Sequence, residues 1–263
     1  MAVPIDNVPL LAGAPNFRDM GGCSTKDSRT VRRGQLYRSE GLAGLTPEDL
    51  EVVRGLGVQL VCDLRSARER AHIPTRWPEG TSVQVLHLDV SEDVRAGNAA
   101  MAKALLDNPS AEGARQAMLS SYRHFPEAFA PHLCTLFEQL LANKGLPLVF
   151  HCAAGKDRTG FLAAVLLAAL GVEEQSILDD YLLSARYWSG PRGEASIRQV
   201  LTVMFGVAPD DAVIAPLVSA EKEYLAAAFD AIVERYGSVD DYLETVAGVG
   251  PEQRQTLRNV LLE

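Results

Sequence analysis

The stretch Pro147-Leu148-Val149-Phe150-His151-Cys152-Ala153-Ala154-Gly155-Lys156-Asp157-Arg158-Thr159-Gly160 decides the fold. Its first part is β-branched, aromatic and apolar, the composition of a buried strand. Residues 161–170 are apolar on every side, which predicts a buried helix closed by Gly171. Between them lies a loop, His151 to Gly160, too short to be a linker. A buried strand that runs almost directly into a buried helix belongs to an α/β fold with a mostly parallel central sheet flanked by helices.

The turn between them collects a particular chemistry. Consecutive amides from Ala153 to Arg158, with small side chains at Ala153, Ala154 and Gly155, can curl around one anion, and the helix N-terminus turns its positive end to the same point. Arg158 offers a planar fork that holds two phosphate oxygens and the charge that spreads over them in a transition state. Cys152 stands at the base, where amides, helix end and guanidinium favour its thiolate form. Taken singly, a strand-end Cys is a small buried hydrophobe and an Arg at a helix start faces water. Cys-x5-Arg-Thr-Gly, set directly between strand and helix, points instead to phosphoryl transfer through a phosphocysteine. Within the loop, Lys156 adds charge at the rim, His151 orients the backbone, and Thr159 can hydrogen-bond the sulfur as it leaves. A nucleotide P-loop is excluded, because Gly-x4-Gly-Lys-Ser/Thr needs Gly where Phe150 stands and a hydroxyl where Asp157 stands. No Cys lies three residues from Cys152, so a thioredoxin-type pair is excluded too.

Residues 58–62 read as a second buried strand, ending at Asp63-Leu64-Arg65. Functional groups in an open α/β sheet gather beyond the carboxyl ends of strands, so Asp63 and Cys152 can meet. An acid there would protonate the leaving oxygen and then activate the water that hydrolyses the phosphocysteine. Asp157 is the rival for that role, and Asp89, after a strand at 83–88, is a third candidate. The bland alternatives are a turn cap for Asp63 and an orienting salt bridge for Asp157. The run Arg65, Arg68, Arg70, His72 and Arg76 is basic in an acidic chain; it is either a solvated helix face or a rim, with Arg65 nearest the site, that receives polyanionic substrates.

HCAAGKDRTG at 151–160 is similar to the signature loop of cysteine-dependent phosphatases. The wider frame resembles the bacterial atypical tyrosine and phosphoinositide phosphatases, a group with a secreted mycobacterial member. The matching features are Asn16-Phe17-Arg18-Asp19, Leu36-Tyr37-Arg38-Ser39, Asp63-Leu64-Arg65-Ser66 and Glu223-Tyr224-Leu225-Ala226-Ala227-Ala228. The resemblance implies hydrolysis of phosphotyrosine first and phosphoinositide second, with dual specificity open; Lys156 in the loop is the residue that suggests the lipid. No cofactor is expected, and the scattered cysteines, without metal-ligand spacing, argue against a metal. Trp77-Pro78-Glu79 is similar to the Trp-Pro-Asp acid loop of larger tyrosine phosphatases, but it precedes another strand and carries Glu, so it reads as a plain turn.

The 263 residues, 47% hydrophobic and 22% charged, suit one folded phosphatase domain over 1–263. A net charge of −9 argues against nucleic-acid binding. No signal peptide is visible, and the apolar run at 161–170 is too short for stable membrane insertion, so the expected location is the cytoplasm. Cys23, Cys62, Cys134 and Cys152 show neither metal-ligand nor disulfide spacing. After a loop-rich opening, Thr46-Pro47-Glu48-Asp49 starts a helix. Helices are expected at 99–106, 112–124 and 127–141, with Pro126 dividing the last two. A further helix at 173–187 ends in a break at 189–193. The helical part from roughly 190 to 263 is then either a flank or a lid. Two other classes stay open: a catalytically silent phosphate-binding module, and a thiol redox protein pairing Cys62 with Cys152.

Overall fold

A computed structural model describes residues 9–91, 98–142, 146–188 and 190–263. Its centre is a five-stranded sheet of β1 (Arg18–Asp19), β2 (Leu36–Ser39), β3 (Leu60–Asp63), β4 (Gln84–His87) and β5 (Leu148–His151), in the order β1-β2-β5-β3-β4. β2, β5, β3 and β4 run parallel, and β1 alone is antiparallel. The register places Ser39, His151, Asp63 and His87 in one row. The carboxyl ends of four strands therefore open at a single edge, which is where a ligand site of such a sheet forms.

Side chains alternate across the sheet with period two. Tyr37, Val61 and Val149 face a smaller core with Phe17, Leu42 and Val53, the last from α1 (Pro47–Gly55). Leu36, Leu60, Cys62, Leu148 and Phe150 face the main core, built from helices. Thr46 caps α1 with a full capping box and Pro47 takes its first position, as its sequence predicts. α2 (Ala67–His72) and α3 (Ala99–Asp107) follow β3 and β4.

The expected division at Pro126 does not occur. α4 (Ala111–Leu141) is one helix of 31 residues with Pro126 and Pro131 inside it. Each interior proline costs about 3 kcal/mol. Against that, α4 buries Phe125, Phe129, Leu133, Leu136, Phe137 and Leu140, each contributing about 1.5–3 kcal/mol, so packing prevails over propensity. Tyr242 donates a hydrogen bond to the Pro126 carbonyl at 2.9 Å.

The helix after the loop is α5 (Asp157–Ala169), which starts earlier than its apolar run because Asp157 to Gly160 already turn helically. It leads to α6 (Glu174–Trp188), α7 (Pro191–Phe205), α8 (Asp211–Val218), α9 (Lys222–Tyr236), α10 (Val239–Ala247) and α11 (Pro251–Leu261). The break after α6 is shorter than expected: Ser189 lies outside the described residues, and Pro191 already begins α7. Gly193 is needed there, since a Cβ would stand 2.0 Å from the Trp188 carbonyl oxygen. Trp77 and Pro78 are irregular chain, and the turn itself falls at Glu79 and Gly80, before β4. No helix among the described residues is long and apolar enough to cross a membrane.

Candidate active site

Residues 152–156 form a tight loop between β5 and α5 whose carbonyls are tied to the scaffold. The Gly41 amide donates to the Ala153 carbonyl at 3.0 Å, Asn16 Nδ2 to the Ala154 carbonyl at 2.9 Å, and Arg38 Nη2 to the Gly155 carbonyl at 2.8 Å. In a trans peptide each carbonyl points away from the following N–H. Fixing those three oxygens outward therefore turns the amides of Ala154, Gly155 and Lys156 toward the loop's interior, an anion-binding concavity. Gly155 makes the curl possible. Its φ is +66°, and a Cβ would lie 2.5 Å from the Glu40 nitrogen and 2.6 Å from the Ser39 carbonyl.

The frame is itself held by buried charge. Asp180 on α6 pairs with Arg18 at 2.9 Å and with Arg38 at 2.5 Å, and both guanidiniums also reach Ser184. Burial pushes the Asp180 carboxyl up, but the two arginines hold it below its ordinary value, so the network stays ionised. The Asn-Phe-Arg-Asp and Leu-Tyr-Arg-Ser motifs thus serve the loop from behind.

Cys152 is 1% exposed at the end of β5. Arg158, the second residue of α5, is fully buried, and its guanidinium plane is fixed by Glu69: Nη1 donates at 2.9 Å and Nη2 at 2.8 Å to the two carboxylate oxygens. Nη1 also meets the Val90 carbonyl at 3.1 Å. Glu69 is a site residue that sequence reasoning missed. Ser66-x-x-Glu69 is legible as the capping box of α2, which it forms, but nothing local reveals its reach to Arg158 across 89 residues.

Asp63 sits beside His151, as the parallel register requires, but it is fully engaged. Its Oδ1 accepts from the Arg65 amide at 3.0 Å and from Arg65 Nε at 2.9 Å. Its Oδ2 accepts from Arg65 Nη2 at 2.7 Å, with Thr75 Oγ1 at 3.4 Å. Burial pushes this carboxyl up, yet the Arg65 hydrogen bonds and charge hold it at about 2. Burial pushes His151 down despite Asp63 at 3.7 Å, which keeps the imidazole neutral; Nδ1 lies 3.2 Å from the Cys152 carbonyl, a backbone contact of the kind expected. Asp89 is exposed and its carboxylate is paired with Arg70.

Three further expectations need correction. Lys156 is not a rim charge: it is fully buried, donates to the Leu217 carbonyl at 3.0 Å and the Ser219 carbonyl at 2.6 Å, and pairs with Asp157 at 2.9 Å. An ammonium near the loop lowers its energy at these carbonyls, which lie at the C-terminal end of α8. Arg65 is 3% exposed, and its fork is committed to Asp63, the Ile73 carbonyl at 2.7 Å and Thr75 at 2.7 Å, so it is no open phosphate receptor. The Thr159 hydroxyl turns to the Ser39 carbonyl at a long 3.5 Å, not to the sulfur. Asp157, first residue of α5, accepts from Tyr122 at 2.8 Å, and Tyr122 in turn meets Tyr181 at 2.7 Å. Burial raises both tyrosines well above their ordinary range, so their O–H groups persist. Cys62 is buried beside Asp63 and its thiol is pushed up by burial, as befits a structural cysteine.

Over the loop lies a cavity of about 920 Å³ bounded by Gly41, Ala153, α2, Trp188 and α7. Arg192 of α7 pairs across it with the buried Glu40, which also accepts from the Asn16 amide at 3.0 Å.

A thiol beneath inward amides, backed by a fixed guanidinium, is the apparatus of a cysteine-based phosphomonoester hydrolase. Residues 9–263 match the family model described as "Tyrosine phosphatase family", and the chain belongs to that family. It is 37% identical over 242 residues to a protein of Cupriavidus necator named as a candidate tyrosine-protein phosphatase, covering 90% of this chain and 83% of that one. It is 34% identical to the "Triple specificity protein phosphatase PtpB" of Mycobacterium tuberculosis, covering 96% and 98%. The crystal structure of P. aeruginosa TpbA is a distant likeness, at 19% identity and a TM-score of 0.35 over 72% of this chain and 89% of that one.

Proposed function

We propose that the chain hydrolyses phosphotyrosine in proteins, with Cys152 as nucleophile, Arg158 and the amides at 154–156 holding the phosphoryl oxygens, and Asp157 as general acid. The observation that carries this is the outward anchoring of the Ala153, Ala154 and Gly155 carbonyls, which leaves a ring of amides facing the end of β5. Asp63 is the weaker candidate on energy. Protonating a carboxylate of pKa about 2 at pH 7 costs about 7 kcal/mol, five pH units at about 1.36 kcal/mol each, so Asp63 serves as the anchor of Arg65 and His151. Thr159 keeps a supporting place behind the loop.

Phosphoinositide is the second substrate class. Its support is the similarity to a phosphatase named for triple specificity, whereas the buried Lys156 gives it none. Because Cys152 is almost wholly covered, α7 swings aside to admit substrate, releasing Arg192 from Glu40; the single domain over 1–263 thereby includes its own lid. The four free cysteines suit a reducing compartment such as the cytoplasm. Replacing Cys152 by Ser tests the reading: release of phosphate from p-nitrophenyl phosphate is expected to cease while vanadate or phosphopeptide binding persists, and undiminished turnover rejects the mechanism.

A further inference from the structure

The basic run on and beside α2 is not one feature but two. Arg65, Arg70 and Arg76 are consumed by the protein: Arg65 by Asp63, Arg70 by Asp89 and the Arg65 carbonyl, Arg76 by the Leu45 carbonyl at 2.6 Å. Arg68 and His72 are exposed, lie four residues apart on one face of α2, and both line the cavity over the loop. Among the described residues neither makes a hydrogen bond or an ion pair. The carboxylates on the same cavity are already neutralised, Glu40 by Arg192 and Glu69 by Arg158. Among the described residues, the uncompensated charge lining this mouth is therefore positive, on a chain of net charge −9.

We infer that Arg68 and His72 form a second anion subsite that selects phosphotyrosyl peptides with acidic side chains next to the phosphorylated residue. The inference rests on the proposed phosphatase activity and adds a specificity to it. A peptide fits better than a lipid headgroup because, beside Ser196 and Gln199, much of the remaining wall is apolar. Ile73 is 52% and Val203 83% exposed, and Val200 and Trp188 stand with them. Such walls accept a tyrosyl ring and aliphatic side chains, whereas the hydroxyls of an inositol ring would lose their hydrogen bonds against them. A guanidinium and an imidazole on the rim then act as steering and selecting charges, whose effect is modest and sensitive to salt.

The test is kcat/KM for two phosphotyrosyl peptides that differ only in flanking Glu or Ala, with p-nitrophenyl phosphate and a short-chain phosphatidylinositol phosphate alongside, at low and high salt. The wild-type chain is expected to prefer the acidic peptide by about 3- to 10-fold at low salt and to lose the preference at high salt. Arg68→Ala with His72→Ala should bring the ratio near one, and Arg68→Glu should invert it. Arg123→Ala, which removes a cation on α4 paired with Glu234, should leave the ratio as it was. An unchanged ratio in Arg68→Glu, or no preference in the wild type, overturns the inference. A loss confined to the lipid substrate also overturns it and assigns the subsite to a headgroup. Absence of phosphate release from any substrate overturns the proposed function itself, whereas release without preference removes the inference alone.

Discussion

Exchanging each of the two loop-proximal acids for its amide separates their roles, and the structure sets the scale of each effect. Asp63 is held at about 2 against an ordinary 3.8, so its ionised form contributes about 2.5 kcal/mol to folding at neutral pH. Because the folded value is the lower one, this stability is fully present above pH about 4 and disappears as pH falls toward 2. Asp63→Asn forfeits it at every pH above that window and leaves Arg65 buried without its counter-ion. Melting should fall by about 5–10 °C for a chain of this size. Its kinetic effect, a loosened His151 and Arg65, should lower turnover of phenyl phosphate and p-nitrophenyl phosphate by the same factor. Asp157→Asn removes the proposed proton donor, worth about 100-fold or more on phenyl phosphate, whose leaving group is poor, and much less on p-nitrophenyl phosphate. Steady-state kinetics on both esters with parallel thermal scans make the comparison. A leaving-group-dependent loss in Asp63→Asn, with none in Asp157→Asn, would falsify the assignment.

Glu69→Gln keeps the shape of the Arg158 anchor but removes its charge; kcat/KM for p-nitrophenyl phosphate should drop about 10- to 100-fold, in line with about 1.5–3 kcal/mol for a hydrogen bond to a charged group, and an unaltered value would show that Arg158 holds its plane without help. Gly155→Ala drives a methyl into the Ser39–Glu40 backbone at a positive φ, so vanadate affinity should collapse while circular dichroism still reports a folded chain; normal vanadate binding would mean the loop curls otherwise. Lys156→Met removes two contacts that join the loop to the C-terminal end of α8, and hydrogen exchange at residues 217–219 should quicken; unaltered protection there would refute the tie.

The strand–loop–helix unit was legible because it is local: apolar periodicity on both sides of a short small-residue turn leaves little freedom. The helix start at Thr46 was legible for the same reason, written in a cap and its first turn. What escaped was set by distance in sequence. Pro126 reads as a break until the aromatic core around Phe125, Phe129 and Phe161 is known to outweigh it. Lys156 reads as a rim charge until α8 supplies carbonyls 61 and 63 residues further on. Glu69 reads as a capping residue, because its second duty depends on how α2 lies against α5. Among five basic residues near α2, sequence cannot say which are spent on the protein and which remain for a ligand.

Arg38 reaches the Gly155 carbonyl with one nitrogen while Asp180 holds the other, and Asn16 and Gly41 supply the remaining clasps. During synthesis, a chain that has left the ribosome only as far as Gly171 already carries its sulfur and its arginine, yet it lacks the α6 carboxylate that locks the rear of the cradle. The carboxylate that locks the rear of the cradle therefore arrives last, with Asp180, nine residues after Gly171.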